Sequence, residues 1–266
     1  MLRYDDLNSI SDGKLYGPSD LVRAGTHGCQ GCSKCCESDM GKSIELTPYD
    51  IFQMCKGSGK SFDNLLTSFL VEISMIDGIA LPNMKMDKGC GFLESGRCTI
   101  HAYRPLICRL FPLGRVYNDK GFDYFLQVHE CPVSDKEDVV VADWLGLDDI
   151  EANTAFTNKW HKFLAFERKK VAEIREYAEH ECNRLKTISE DDVRTYASIV
   201  GDEIEGSVSE YVEAKCEYFK EKAEDRIKEI MKTVLGTFYM EEYNREDFYP
   251  QFDERMKKCL GRIRKI

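Results

Sequence analysis

Four cysteines lie within eight consecutive positions near the start of the chain, in the stretch GCQGCSKCCESDM. They are Cys29, Cys32, Cys35 and Cys36. Cysteines this close together could form disulfide bonds, act as redox-active thiols, or bind metal as thiolates. A C-x2-C turn suits metal binding, because it lets two thiolates reach one ion. The C-x2-C-x2-C spacing is also typical of the ligands of cubane iron–sulfur clusters.

More cysteines follow in the same half of the chain. Cys90 and Cys98 bracket CGFLESGRC, Cys108 lies in RPLICRLFP, and Cys131 lies in HECP. A remote Cys-Pro often completes a cubane ligand set, and Cys131 precedes a proline. The sequence therefore predicts eight metal ligands, enough for two four-thiolate sites: Cys29, Cys32, Cys35, Cys36, Cys90, Cys98, Cys108 and Cys131.

The spacing favours iron–sulfur over zinc. Zinc sites commonly use two separated C-x2-C pairs, whereas this sequence has one such block with scattered partners. We therefore favour a [4Fe–4S] cluster, with zinc as the alternative. Side chains of adjacent residues diverge, so the sequence leaves open which of Cys35 and Cys36 binds, or whether one serves a second site. His101, three residues after Cys98, is the best candidate for an imidazole ligand.

Basic residues lie close to these cysteines in the sequence. Four thiolates around Zn²⁺ or an oxidised cubane leave a net charge of about −2, which arginine could balance while donating N–H···S bonds. Such arginines could equally be packing or surface residues paired with carboxylates. The candidates are Arg97, Arg104, Arg109 and Arg115.

Composition excludes several functional classes. The chain has 266 residues, of which 42% are hydrophobic and 32% charged, as expected for a globular protein. Its net charge of −10 argues against nucleic-acid binding. The N-terminus lacks the pattern of a secretory signal, and no apolar run is long enough to span a bilayer. We therefore expect a cytoplasmic protein without a membrane anchor, whose thiols stay reduced.

The chain divides into two compositional parts, since nine of the twelve cysteines lie within the first 150 residues. We predict an α+β fold, with a small, irregular, metal-organised domain of short hairpins and helices in residues 1–145. An α-helical region follows in residues 146–266. Helical periodicity predicts long helices over about 154–185 and 207–238. The three cysteines in this second region are expected to be ordinary helix residues: Cys182, Cys216 and Cys259.

Local signals also predict individual elements of the first part. Thr47 is a natural N-cap for a helix in ELTPYDIFQMCKG, with Asp50 completing a capping box and Gly57 ending the helix. Ser61 should cap a second helix. A hairpin is expected with its turn at 118–121.

Together these stretches resemble the CxxCxxCC cysteine-cluster family, described as a domain that chelates zinc or iron and shared by flagellin lysine N-methylases. The matching segments are CQGCSKCC, IELTPYDI, CGFLESGRCTIHAYRPLICRLFP and HECP, within about residues 26–134. The resemblance implies that the same eight cysteines chelate metal. It also implies that Arg104, Pro105 and Arg109 belong to the family signature.

Three functions follow from these features. The first is a metal-binding protein with a redox, sensing or accessory role. The second, implied by the resemblance, is a protein-lysine N-methyltransferase that uses S-adenosylmethionine, although the glycine-rich strand–turn–helix of a Rossmann-type methyl-donor site is missing. The third is a structural zinc module whose helical tail binds an unidentified protein partner. Whether the chain catalyses a reaction is left open.

Overall fold

The structure is a computed structural model, and it describes residues 7–26, 32–39, 43–86, 89–244 and 246–266. It is 55% helical and 17% strand, with small sheets in the N-terminal half and long helices in the C-terminal half. This confirms the predicted α+β class.

The strands are β1 (Leu21–Gly25), β2 (Ser43–Glu45), β3 (Val71–Ile76), β4 (Ile79–Lys85), β5 (Leu93–Glu94), β6 (Arg97–Cys98), β7 (Leu113–Asn118), β8 (Gly121–Leu126) and β9 (Glu137–Val140). The helices are α1 (Leu7–Ile10), α2 (Pro48–Ser58), α3 (Phe62–Thr67), α4 (Leu106–Leu110), α5 (Val141–Leu145), α6 (Ile150–Thr187), α7 (Glu190–Val200), α8 (Val208–Leu235) and α9 (Phe248–Ile263).

Helix α2 begins as predicted and ends later. The Thr47 hydroxyl accepts from the Asp50 amide, and the Asp50 carboxylate accepts from the Thr47 amide, which completes the capping box. The predicted end at Gly57 is wrong, because Gly59 takes the left-handed conformation (φ 70°) that closes the helix. Gly57 instead packs against Tyr103. A Cβ added at Gly57 would lie only 2.6 Å from the Tyr103 Cβ.

The strands form small antiparallel sheets. The largest has the order β2-β4-β3, and Met84 in its central strand pairs with Ile44 on one side and Val71 on the other. The predicted hairpin is confirmed as β7 and β8, with Asn118 paired to Gly121 at the turn. The pairing of β1 with β9 joins segments more than 100 residues apart, and local sequence signals did not predict it.

The long helices pack directly onto the N-terminal sheets. Both predicted helices are present, as α6 and α8, and a π-helical turn (Gly236–Met240) directly follows α8. One core joins the two halves, because Tyr49 and Phe52 of α2 contact Phe248 of α9. The division at residue 145 thus stays a prediction about domains, while the apolar core continues across it.

Two cysteines of the helical region are bonded to each other. Cys182 on α6 and Cys216 on α8 form a disulfide, and both are buried. The prediction that they are ordinary helix residues is wrong, because α6 and α8 lie side by side and bring the two sulfurs together. The disulfide also contradicts the expectation that all thiols of the chain stay reduced. Periodicity within one helix carries no information about such a contact.

Removing this disulfide is expected to destabilise the helical region. Its closed loop spans a sequence separation of 34 residues, and a loop of that length corresponds to about 3–4 kcal/mol of unfolding free energy in the chain-entropy model. The Cys182→Ala/Cys216→Ala variant should therefore unfold at lower denaturant concentration than the wild type. A reducing agent should lower the wild-type midpoint and leave that of the variant unchanged. An equal response of both proteins to reductant would contradict the disulfide.

Candidate metal centre

Six of the eight predicted ligands line one pocket. Its volume is about 70 Å³, and its walls are mainly apolar, with Phe92 and Ile100 among them. Cys29 lies outside the described residues. Cys131 is described and half-buried, but it is not one of the residues lining this pocket. The lining cysteines are Cys32, Cys35, Cys36, Cys90, Cys98 and Cys108.

A backbone contact joins the first two cysteine segments. Cys35 and Cys36 begin a π-helical turn (Cys35–Asp39), and the Cys90 amide donates to the Cys36 carbonyl at 2.7 Å. Gly89 has a φ of 89°, and an added Cβ there would lie 3.0 Å from the Glu37 carbonyl oxygen. Glycine at this position therefore lets the segment before Cys90 approach the turn closely.

The remaining two cysteines are held by the β5–β6 hairpin and by α4. Cys98 pairs with Leu93 across the hairpin. Cys108 lies on α4, which is anchored where the Leu106 amide donates to the buried Asp50 carboxylate at 2.6 Å. Asp50, which completes the capping box of α2, thus also fixes the start of α4, the helix that carries Cys108.

The neighbouring cysteines face the same pocket. The Cys35 and Cys36 sulfurs are 4.0 Å apart, whereas the sequence led us to expect their side chains to diverge. The π-helical turn accounts for the difference, since its wider backbone geometry changes side-chain directions. Two thiolates bound about 2.3 Å from one tetrahedral ion lie about 3.8 Å apart. Both sulfurs are therefore close enough to bind one ion after small movements.

Burial and neighbouring thiols raise the pKa of four of the pocket cysteines. The hydrogen bond with Cys35, followed by burial, raises the pKa of Cys36 well above the ordinary range of thiols. Burial, followed by the proximity of Cys90 and Asp50, raises the pKa of Cys108. Burial likewise raises the pKa of Cys90 and of Cys98. A bound metal cation would reverse these shifts, because it stabilises thiolates.

Two of the four candidate arginines line the pocket. Arg97 and Arg104 do so, and the buried Nε of Arg104 has no hydrogen-bond partner in the described part of the chain. That N–H is therefore an unpartnered donor on a side chain that lines the cysteine pocket. Neighbouring His101 contacts Arg104 Nη1, and burial followed by the charge of Arg104 lowers the pKa of the imidazole. Neutral imidazole is the form that binds metal.

The other two arginines make packing contacts, which was one of the two roles that the sequence left open for them. Arg109 is buried and donates to backbone carbonyls. Arg115 stacks over the rings of Phe122 and Tyr124. The carbonyls that accept from Arg109 are those of Ala102, Arg104, Leu145 and Gly146.

The donor set suits a thiophilic metal. Within the described residues, no three Cys, His, Asp or Glu side chains already surround a point where an ion would fit. The pocket nevertheless gathers six thiols, apolar walls and the unpartnered Arg104 Nε, as expected around a thiolate-bound metal or cluster. Side-chain rotation within the pocket would be needed to bring sulfurs onto a common centre.

A family model matches this part of the chain, over residues 28–132, with the description "Putative zinc- or iron-chelating domain". Residues 28–132 are therefore similar to the CxxCxxCC family. Every described cysteine of the pocket lies within them. Comparison with curated proteins and with solved structures gave no significant match.

Two sulfur-containing residues of the cysteine pocket were not predicted from the sequence. Met84 and Met86 both line the cysteine pocket. Their spacing of two residues puts them on the same face of an extended strand, and this signal in NMKM could have identified them. Among the described helices, none is both long and apolar enough to cross a membrane.

Proposed function

We propose that the segment similar to the CxxCxxCC family, residues 28–132, holds an iron–sulfur cluster of the [4Fe–4S] type through thiolates of the cysteine pocket. The observation that carries this proposal is that six cysteine side chains from three separate segments line one apolar pocket. A saturated four-thiolate zinc site needs little space beyond the ion. The pocket volume of about 70 Å³ is several times the ~10–15 Å³ that one water requires, so the pocket is larger than such a zinc site needs.

Four of the pocket cysteines are the best ligand candidates within the described residues. Cys35, Cys90, Cys98 and Cys108 lie close enough that the charge of one affects the pKa of another. Cys36 is the neighbouring alternative to Cys35. Two further proposals rest on the sequence alone. One is that Cys32 binds metal at the pocket, and the other is that Cys29 and Cys131 bind metal in a second four-thiolate site.

Each part of the pocket would contribute to cluster chemistry. A bound cluster supplies one-electron redox capacity or a site that responds to oxidants. The apolar walls would limit access of water, which lowers the reduction potential of a cluster because the reduced form carries more negative charge. The unpartnered Arg104 N–H is an available donor at the pocket, and an N–H···S bond would raise the potential. The cysteine side chains hold the iron, and their thiol protons leave to solvent on binding.

A redox, sensing or accessory role in the cytoplasm is part of the proposal, with the helical region as the surface that meets a protein partner. Exposed apolar and aromatic side chains on three helices support this assignment. Tyr177 on α6, Ile199 on α7 and Tyr218 on α8 are 60%, 79% and 46% exposed. Aromatic side chains such as those of Tyr177 and Tyr218 are enriched at protein interfaces.

Zinc is the second candidate, and a specific distance favours it. The 4.0 Å separation of the Cys35 and Cys36 sulfurs is close to that of two thiolates on one ion. A saturated zinc site would be structural. The S-adenosylmethionine-dependent methyltransferase is a third possibility, and it rests only on the family resemblance.

Anaerobic purification followed by metal analysis and an absorption spectrum tests the proposal. An iron–sulfur cluster should give a brown protein with broad visible absorption that dithionite bleaches, together with iron and acid-labile sulfide. A colourless protein with stoichiometric zinc would instead support the structural module. A protein that takes up neither metal would contradict metal binding altogether. Binding of labelled S-adenosylmethionine would support the methyltransferase.

A further inference from the structure

Met84 contributes a thioether sulfur to the cysteine pocket. The Cys90 thiol donates to the Met84 sulfur, with a separation of 3.6 Å between Cys90 Sγ and Met84 Sδ. Two sulfur ligands about 2.3 Å from one ion at a tetrahedral angle lie about 3.8 Å apart. A metal ion could therefore replace the thiol proton between these two sulfurs with little movement of either side chain.

The position of Met84 is fixed by the sheet. It pairs with Ile44 and Val71 in the middle of the β2-β4-β3 sheet, and its side chain is only 2% exposed. Long flexible methionine side chains lose conformational freedom when they bind, but a buried side chain has already lost most of it. The sheet thus presents the thioether to the pocket in a preorganised position.

The chemistry of a thioether distinguishes between metals. It is neutral and soft, so it adds a ligand without adding negative charge to an apolar pocket. Zinc in proteins is bound by cysteine, histidine and carboxylate side chains. Mixed sets of thiolate and thioether favour copper(I) instead.

We propose that the cysteine pocket also binds copper(I), through a set of sulfurs that includes the Cys90 thiolate and the Met84 thioether. The ion enters as copper(I), the Cys90 proton leaves to solvent, and no electron is transferred. This inference rests on the proposed function of the pocket as a thiolate metal site. It adds a metal and a ligand residue that the cysteine pattern does not indicate.

A leucine variant with a matched control tests the role of the thioether. Leucine preserves the volume of methionine and removes the sulfur, and such exchanges usually cost less than about 1.5 kcal/mol. Met54 on α2 is the control, since it is fully buried but does not line the pocket. The metal-free wild type, Met84→Leu and Met54→Leu are titrated anaerobically with the copper(I) complex of bicinchoninate, and separately with zinc against a coloured chelator.

The Met84→Leu variant is expected to bind copper(I) about tenfold more weakly or worse, a loss of about 1.4 kcal/mol. Its zinc affinity and its reconstituted iron content should match the wild type, and Met54→Leu should leave all three unchanged. Wild-type copper(I) affinity in Met84→Leu would overturn the inference. An equal weakening of zinc and copper(I) would also overturn it, because the residue would then act through the fold.

A second measurement does not depend on the leucine variant folding. Copper-edge X-ray absorption of selenomethionine-substituted protein loaded with copper(I) should show selenium bound to copper. An absence of selenium from the copper coordination shell would refute the role of Met84. Failure of the wild type to bind iron or zinc would count against the proposed function, whereas normal iron or zinc binding with no copper–selenium contact would count against this inference alone.

Discussion

The Cys108→Ser variant is expected to lose its bound metal almost completely. Cys108 lies on α4 at the base of the pocket, and burial together with Cys90 and Asp50 raises its pKa. Structural metal sites with four ligands contribute about 10–16 kcal/mol, so one thiolate corresponds to about 3 kcal/mol or more, or at least about 100-fold in affinity. Serine keeps the size of the side chain and removes the soft donor.

The control for this variant is another half-buried cysteine of the same half of the chain. Cys55 lies on α2 and does not line the cysteine pocket. Cys55→Ser should therefore keep the metal content and visible spectrum of the wild type. Metal analysis, the absorption spectrum and thermal unfolding are measured for both variants after anaerobic purification. Equal metal loss in the two variants would show that the pocket is not the metal centre.

Thermal unfolding in the same series tests whether metal binding stabilises the fold. A backbone hydrogen bond from the Cys90 amide to the Cys36 carbonyl joins the Cys32–Asp39 segment to the Cys90–Cys108 segment. Ligands drawn from both segments would hold them together, because binding energy adds to folding energy when unfolded chains lack the site. We expect a chelator to lower the wild-type melting temperature and to leave that of Cys108→Ser unchanged.

Local sequence signals predicted the parts of the fold that local interactions determine. The capping box of Thr47 and Asp50 and the hairpin turn at Asn118 involve residues three positions apart. The two long helices followed from the spacing of their apolar residues. The gathering of cysteines into one pocket followed from the chemistry of clustered thiolates, and the structure places six of the eight there.

The remaining features depend on contacts between distant segments. The Cys182–Cys216 disulfide requires α6 and α8 to lie at a specific rotation, which neither helix determines alone. The sequence left open whether Arg109 balances metal charge or has a packing role, and only its neighbours in space, the carbonyls near Leu145, decide for packing. The position of Met84 beside Cys90 follows from the register of a sheet that forms across 40 residues of chain.

A buried carboxyl group in the helical region should make stability depend on pH. Glu167 on α6 is 0% exposed, and neither carboxyl oxygen has a hydrogen-bond partner among the described residues. Burial raises its pKa from 4.5 to about 8, while Arg168 opposes the shift. Burial, followed by the proximity of Glu167, raises the pKa of the Cys259 thiol.

The sign of the effect follows from proton binding. Between pH 4.5 and about 8 the folded protein keeps the Glu167 proton, whereas the unfolded chain has released it. Folding therefore becomes less favourable as the pH rises through this range. The full loss of unfolding free energy is about 5 kcal/mol, taken as 1.36 kcal/mol for each pH unit over the interval between the two pKa values.

The Glu167→Gln variant should remove this dependence, because the carboxamide is neutral at every pH in the range. Denaturant unfolding at pH 5.5 and pH 8.5 gives the change in unfolding free energy for each protein, and the wild type should lose about 3 kcal/mol more than the variant. Glu173→Gln is the control, since Glu173 lies on the same helix with its side chain 52% exposed. That control should retain the wild-type pH dependence. Parallel pH profiles for the wild type and Glu167→Gln would mean that Glu167 is ionised in the folded protein, with a partner or water that stabilises its charge.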